Sequence, residues 1–398
     1  MVPCQILFIV GVIIILGFAS GKLFQRVKIP RVVAFVLIGL ILANTGVIPS
    51  CAIECLQPVV DLALGFIGFT IGSQLELKNL LKGSKRLFII LTCEAMGAFV
   101  LVTLAFYLVF GEFYIGLIFG VLASATAPAA TIEVIKECCA KGDLTQRIIF
   151  IIALDDILAI ILFDFVMSYA SSQFVWDLII LLTPLLNIAV SLLLGGLLGY
   201  ALARIEESFR SETEWLILTV GSVILATGTA QIFGISSILT NIALGVVMAN
   251  SHTIEIKTFE KRLDIIILPL FIGFFVLIGA RLNLEIILEV GALAIIYICA
   301  RAVGKILGAY GGSRLAQEPP KIANNLGLAL ISQAGVALAL AYLASTQLAM
   351  LGNAAVGILI FDVITASVII TDLIGPLAVK FSLKRVGECP MESSSSEQ

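Results

Sequence analysis

Two adjacent carboxylates, Asp155 and Asp156 of "IIALDDILAI", lie inside one apolar run, and Lys305 of "RAVGK" lies inside another. A third run is interrupted by Pro128 in "ASATAPAATIEVIKE", between Thr126 and Thr131. A charge held deep in an apolar layer costs at least ~2.5–3.5 kcal/mol, so such groups usually face a cavity or an opposite charge. Neighbouring residues on a helix point about 100° apart and cannot both face one partner. One carboxylate of the doublet then pairs with Lys305, and the other faces an aqueous path and takes a cation or a proton. The plainer alternative is that neighbouring backbone satisfies both. The proline adds what the carboxylates lack. A helix broken at Pro128 frees backbone carbonyls beside the Thr126 hydroxyl, and these are oxygen ligands suited to a hard monovalent cation. An ordinary kink is the alternative there.

The elements that position these groups are membrane helices. The chain has 398 residues, 13% of them charged, and a mean hydropathy of +1.14, far too little charge to cover a soluble protein of this size. Apolar runs predict thirteen spans, at 4–20, 30–46, 56–74, 86–109, 113–138, 146–171, 178–203, 212–231, 235–250, 259–280, 285–313, 321–345 and 351–379. The alternating ten-residue segments of a β-barrel are absent, so the fold class is all-α and polytopic. The N-terminus lacks a basic region and a cleavage site and reads as a retained first helix. Of 24 lysines and arginines, all but Arg281, Arg301 and Lys305 fall in or beside the loops after odd-numbered spans and in the C-terminal tail. The positive-inside rule then puts the N-terminus outside and the C-terminus in the cytoplasm.

Span five is interrupted at "ATAPAAT" and span twelve at "LISQAGVALAL", with Ser332, Gln333 and Gly335. Being an odd number of spans apart, the two run in opposite directions, which is the pointer to inverted-topology repeats. Counting helical rise inward from the cytoplasmic span ends puts Asp155, Lys305 and Glu94 about 12–13 Å deep, and Pro128 and Gln333 about 15–18 Å deep. Features from five spans thus converge on one layer. Arg301 shares a helix face with Lys305, and Glu94 is a candidate partner for either. Ser124, Glu133 near a helix end, and Asp362 of span thirteen are further candidates, whereas Asp164 and Asp372 read as structural. The eight cysteines and the single His252 form no metal-ligand pattern. Cys51 and Cys55 share a loop and either pair or simply fit there, and Cys138 and Cys139 read as lining a helix end. No basic, aromatic-interleaved stretch suggests nucleic acid.

"ATAPAAT", "LFIGFFVLIGARLN", "RAVGK", "LDDILAI" and "SQAGVAL", taken jointly over essentially the whole chain, resemble the monovalent cation:proton antiporters of the second subgroup, the NapA-like sodium/proton exchangers, with NhaA a more distant relative. The resemblance implies a homodimer in which a six-helix core moves against a dimerisation domain. On this chain the dimerisation-type helices are about 4–74 and 212–281, the core-type helices about 86–171 and 285–379, and a linker helix about 178–203. A single membrane domain covers 1–385, and 386–398 is a disordered tail. By motif, Asp156 is the cation- and proton-binding carboxylate, Asp155 pairs with the charge-compensating Lys305, and Thr126 is the broken-helix ligand. The Asp-Asp doublet matches electrogenic members.

The expected function is secondary transport, not enzymatic catalysis: export of sodium, with lithium as an alternative, against external protons at the plasma membrane. No cofactor and no soluble regulatory domain are expected. A potassium/proton antiporter on the same scaffold is the main rival, and a sodium-coupled organic-anion symporter a lesser one. An intramembrane aspartyl protease needs two carboxylates sharing a proton across helices and a Gly-x-Gly-Asp segment, which this sequence lacks.

Overall fold

The computed structural model describes residues 4–26, 29–75, 85–172, 178–206, 212–251, 256–282 and 284–389. Those residues are helical with short connections, and no strand occurs among them. In chain order the helices are α1 (Cys4–Arg26), α2 (Arg31–Asn44), α3 (Ser50–Cys55), α4 (Gln57–Ser73), α5 (Lys85–Phe110), α6 (Phe113–Ser124), α7 (Pro128–Glu137), α8 (Asp143–Ser171), α9 (Leu178–Glu206), α10 (Glu212–Phe233), α11 (Ser237–Asn250), α12 (Ile256–Ala280), α13 (Leu284–Leu315), α14 (Pro320–Leu326), α15 (Gly335–Met350) and α16 (Ala354–Val386). Among the described residues six helices are long and apolar enough to cross a bilayer, and a seventh span counts if α14 and α15 are one bent element. Five shorter apolar helices of 10–17 residues accompany them. His252 and residues 390–398 of the expected tail lie outside the described residues.

The chain divides into two compact units. One contains Met1–Leu81 and Asp177–Asn283; the other contains Lys82–Trp176 and Leu284–Gln398. In the first, α2 meets α12 and α4 meets α11 at glycines. A Cβ on Gly39 would lie 2.0 Å from the Val276 carbonyl oxygen, and one on Gly72 would lie 2.1 Å from that of Ile242. A cluster of Phe66, Phe69, Trp215, Leu244 and Met248 fills the space between its helices.

The second unit holds every candidate residue. Its two breaks have different local causes. α6 ends at Ser124 because Pro128 forbids helical backbone before it. Ala125 and Ala127 are extended (φ/ψ −62/143° and −84/107°), and the proline then opens α7 at a position where its missing N–H costs nothing. In the other break, α14 tightens into a 3-10 turn at Gly327–Leu330, leaves helical geometry over residues 331–334, and resumes at Gly335 with a bend of 51°. The breaks touch directly: the Ala127 N–H donates to the Ser332 carbonyl at 3.0 Å.

A glycine seam joins α5 to α13. Gly304, Gly308 and Gly312 repeat every four residues along one face of α13, and Gly97 opposes them. A Cβ on Gly97 would lie 2.5 Å from the Gly304 carbonyl oxygen, and one on Gly308 would lie 2.3 Å from that of Cys93. Small residues let backbones approach this closely, and the seam sets Glu94 directly beside α13.

One expectation changes at the end of this unit. Cys138 does not merely line a helix end: it is disulfide-bonded to Cys389, with Cα atoms 5.1 Å apart, while Cys51, Cys55 and Cys139 are free thiols. Residues 387–389 follow directly on α16. Gly387 caps α16 in the left-handed conformation (φ 83°), which glycine adopts without a Cβ penalty. Glu388 then accepts hydrogen bonds from the Leu144 and Thr145 N–H groups, at 2.8 Å each, and from the Thr145 hydroxyl at 2.6 Å. These donors are among those that the first turn of α8 leaves unpaired, and a carboxylate there also suits the helix dipole.

Candidate functional site

The site begins with the end of α6. A helix end leaves its last carbonyls without partners, and here the end is buried. The accounting closes residue by residue. The Val121 carbonyl accepts from the Ser124 hydroxyl at 2.7 Å, and that of Leu122 from Gln333 Nε2 at 2.7 Å. Ala123 and Ala125 accept from the Arg301 guanidinium at 3.0 and 2.8 Å, and Ser124 from Lys305 Nζ at 2.6 Å. Arg301 also donates to the Ile331 and Ser332 carbonyls of the second break. One guanidinium thereby stitches both breaks, using a fork of donors that a lysine lacks. Its positive charge sits at the negative end of α6, where the helix dipole favours it. The sequence suggests these freed carbonyls as cation ligands; the structure instead gives them to the protein's own cationic side chains and Gln333.

Below this layer stands a cluster of ionisable groups, all buried. Lys305 Nζ is 2.9 Å from Asp155 Oδ2 and 2.5 Å from Glu94 Oε1, the latter an ion pair without aligned hydrogen-bond geometry. It also donates to the Thr126 hydroxyl at 2.7 Å, and that hydroxyl donates to Asp155 Oδ2. Thr126 is therefore engaged between the lysine and the first aspartate. Asp156 is different. It is 1% exposed, yet neither of its oxygens has a hydrogen bond of good geometry, and the Thr126 backbone amide interacts with it only loosely. Glu94 Oε2 and Asp155 Oδ1 are likewise unpartnered. Most buried polar groups in proteins find partners, so four orphaned carboxylate oxygens around one ammonium single out this cluster.

Helix periodicity accounts for the split within the doublet. Asp155 points at Lys305, and Asp156, about 100° around α8, does not. Ser124 contributes its carbonyl, and Pro128 opens α7. Gln333 anchors the crossing through Leu122 and through the Tyr297 hydroxyl at 2.9 Å. Sequence reasoning missed Tyr297, although its signal is there: Tyr297, Arg301 and Lys305 recur at intervals of four along one face of α13. Asp362 is buried with both oxygens unpartnered, but no bond or ion pair among the described residues ties it to the cluster. Glu133 is exposed and lies close enough to act electrostatically on the buried Asp372. Among the described residues no group of three or more His, Cys, Asp or Glu side chains is arranged to hold a resident metal.

The family described as sodium/hydrogen exchanger, transmembrane, matches residues 11–383. The ammonium/H(+) antiporter subunit AmhT of Alkalihalophilus pseudofirmus is 23% identical over 369 residues, covering 89% of this chain and 92% of that protein. A Na(+)/H(+) antiporter of Enterococcus hirae is 22% identical over 373 residues, covering 91% and 94%. The structure of the sodium proton antiporter MjNhaP1 from Methanocaldococcus jannaschii at pH 8 superposes with a TM-score of 0.82 at 17% identity, covering 96% of this chain and 99% of that one. The fold is therefore shared with a solved antiporter, and by the extent of the family match the chain belongs to the sodium/hydrogen exchanger family.

Proposed function

We propose that the protein exports sodium in exchange for external protons by alternating access, with sodium and protons competing for Asp156. One observation carries this reading: a buried carboxylate with both oxygens unpartnered, set beside a helix break and a fixed lysine–aspartate pair, in a chain of the exchanger family. Moving the empty, ionised site through a low-dielectric barrier is costly. Either a sodium ion or a proton at Asp156 removes that cost, so the two cargoes exchange and neither leaks. Thr126 contributes an oxygen through the lone pair left after its bonds to Lys305 and Asp155. A second proton on Asp155 makes the exchange electrogenic. One net charge per cycle then harvests about 2.3 kcal/mol per 100 mV, equivalent to roughly a fifty-fold sodium gradient. The same reading has thirteen spans in inverted repeats, a homodimer, and a plasma-membrane location with the N-terminus outside.

Potassium/proton exchange on the same carboxylates is the second reading, and the resemblance to an ammonium/H(+) antiporter subunit adds ammonium to the cations worth testing. Vesicles reconstituted with the protein and a pH-sensitive dye separate them. Sodium is expected to dissipate an imposed pH gradient at lower concentration than potassium or ammonium, with Asp156→Asn vesicles supplying the background for passive ammonia. Asp156→Asn is expected to fall to the level of empty vesicles. Undiminished exchange in that variant would sink the site, and indifference of the wild type to every cation would sink the transport reading.

A further inference from the structure

Lys305 has two carboxylate partners, and the exchange proposed at Asp156 needs only one of them to stay ionised. Glu94 Oε1 and Asp155 Oδ2 approach the same ammonium from different helices, at 2.5 and 2.9 Å. Glu94, Asp155 and Lys305 are each 0% exposed. The helices packed on α5 are α6, α8 and α13. α6 carries no charged residue, α8 contributes Asp155, and α13 contributes Lys305 and Arg301. Arg301 is committed to four backbone carbonyls. Lys305 is thus the cation that Glu94 has to pair with, and the glycine seam of Gly97 against Gly304 and Gly308 keeps the two helices too close for Glu94 to turn elsewhere.

We infer that Glu94 is a positioning residue that holds Lys305 as a charged ammonium while Asp155 takes a proton, and so makes the second proton of the cycle possible. This inference rests on the proposed exchange at Asp156 and concerns how many protons return, not whether exchange occurs. With Asp155 as the lysine's sole partner, protonating it would strand a buried ammonium, which is strongly disfavoured. With Glu94 present, the proton entering from the external side goes onto a carboxylate oxygen of Asp155. Lys305 neither gains nor loses a proton, and its charge passes wholly to the Glu94 ion pair. The orphaned Asp155 Oδ1 and Glu94 Oε2 fit that exchange of partners, because each carboxylate has an oxygen to spare while the other holds the lysine. Two protons return, on Asp155 and Asp156, for one sodium ion leaving.

Charge coupling tests this, read as the membrane potential at which net sodium flux through reconstituted vesicles reverses at fixed sodium and proton gradients. The wild type is expected to move about one net charge per sodium ion. In Glu94→Gln, Asp155 stays committed to Lys305 and one proton returns, so exchange continues but its reversal no longer depends on potential. In the double variant Glu94→Gln/Lys305→Gln, Asp155 is released from the lysine and potential dependence returns. Glu94→Asp, which keeps the charge, is expected to retain it. Restoration in the double variant is a result that a purely structural role for Glu94 would not give. Glu94→Gln vesicles that still move one net charge per sodium ion overturn the inference, as does a double variant no better coupled than Glu94→Gln. In either case exchange that is lost in Asp156→Asn leaves the proposed function standing.

Discussion

At the scale of single residues, the site separates fixed charges from an uncommitted one. Arg301 and Lys305 are consumed by backbone carbonyls and carboxylates, while both Asp156 oxygens are unpartnered. Arg301 is the most demanding of these side chains. Fully buried, it satisfies carbonyls at both helix breaks, and each hydrogen bond to a charged group is worth about 1.5–3 kcal/mol. Arg301→Gln strands several buried acceptors, and we expect a loss of roughly 3–5 kcal/mol, as for breaking a buried pair. Arg301→Lys is expected to recover little of it, because an ammonium cannot span the two breaks with a planar fork. Thermal unfolding of the detergent-solubilised variants measures both, and a lysine variant as stable as wild type would refute the stitching role. Sequence spacing revealed the doublet, the lysine and the broken span, because each is a polar anomaly in an apolar run. It left Glu94 open between Arg301 and Lys305 and could not reveal that Arg301 serves carbonyls, because both depend on which helix faces which.

At the scale of elements, proline and glycine do the placing. Pro128 imposes one break through a steric rule that operates on its immediate neighbours, so that break was legible in the sequence. The second has no proline within it. It follows a 3-10 turn; the polar and small residues of "SQAG" place it in the sequence, and tertiary hydrogen bonds hold it. The glycine seam of α13 was overlooked in the sequence because glycines are frequent in membrane helices and their spacing carries meaning only once α5 lies opposite. Gly308→Leu tests the seam. Its Cβ alone would meet the Cys93 carbonyl oxygen at 2.3 Å, so α5 and α13 have to separate. Overpacking of this kind costs about 1–3 kcal/mol, and by pulling Glu94 from Lys305 it should also make the reversal of exchange less dependent on membrane potential. Gly311→Leu, on the same helix with nothing within 4 Å of its Cβ position, is the control expected to remain near wild-type stability. Equal thermal unfolding of the two variants would show that the seam does not set the helix spacing.

At the scale of the whole molecule, the distribution of charge carries an orientation. The loop after the fifth span and the loop before it should lie on opposite sides of the membrane. In a background without native cysteines, Lys141→Cys, at an exposed position between α7 and α8, is expected to react with a membrane-impermeant maleimide only when the cytoplasmic face is presented, as in inverted vesicles. Glu112→Cys, at an exposed position between α5 and α6, should react only in intact cells. Labelling of both from one side would contradict the proposed topology. The C-terminal clasp belongs to this scale too. Glu388 caps the helix that carries Asp155 and Asp156, and Cys389 is bonded to Cys138 beyond the end of α7. A sequence separation of 251 residues put that pairing beyond any local reading.

The sequence alone determined that the chain is a bundle of membrane helices, where two of them break, and which charges sit too deep to be solvated. These follow from hydrophobic length, from proline's fixed geometry and from the cost of burying charge, all of which act along the chain. Only the tertiary structure decided which charges are spent and which is free. That depends on distances of a few ångströms between helices far apart in sequence, set by glycine contacts and by the hydrogen-bond demands of two broken helix ends. Lys305 thereby acquires two carboxylates, and Asp156 is left with none of its oxygens bound.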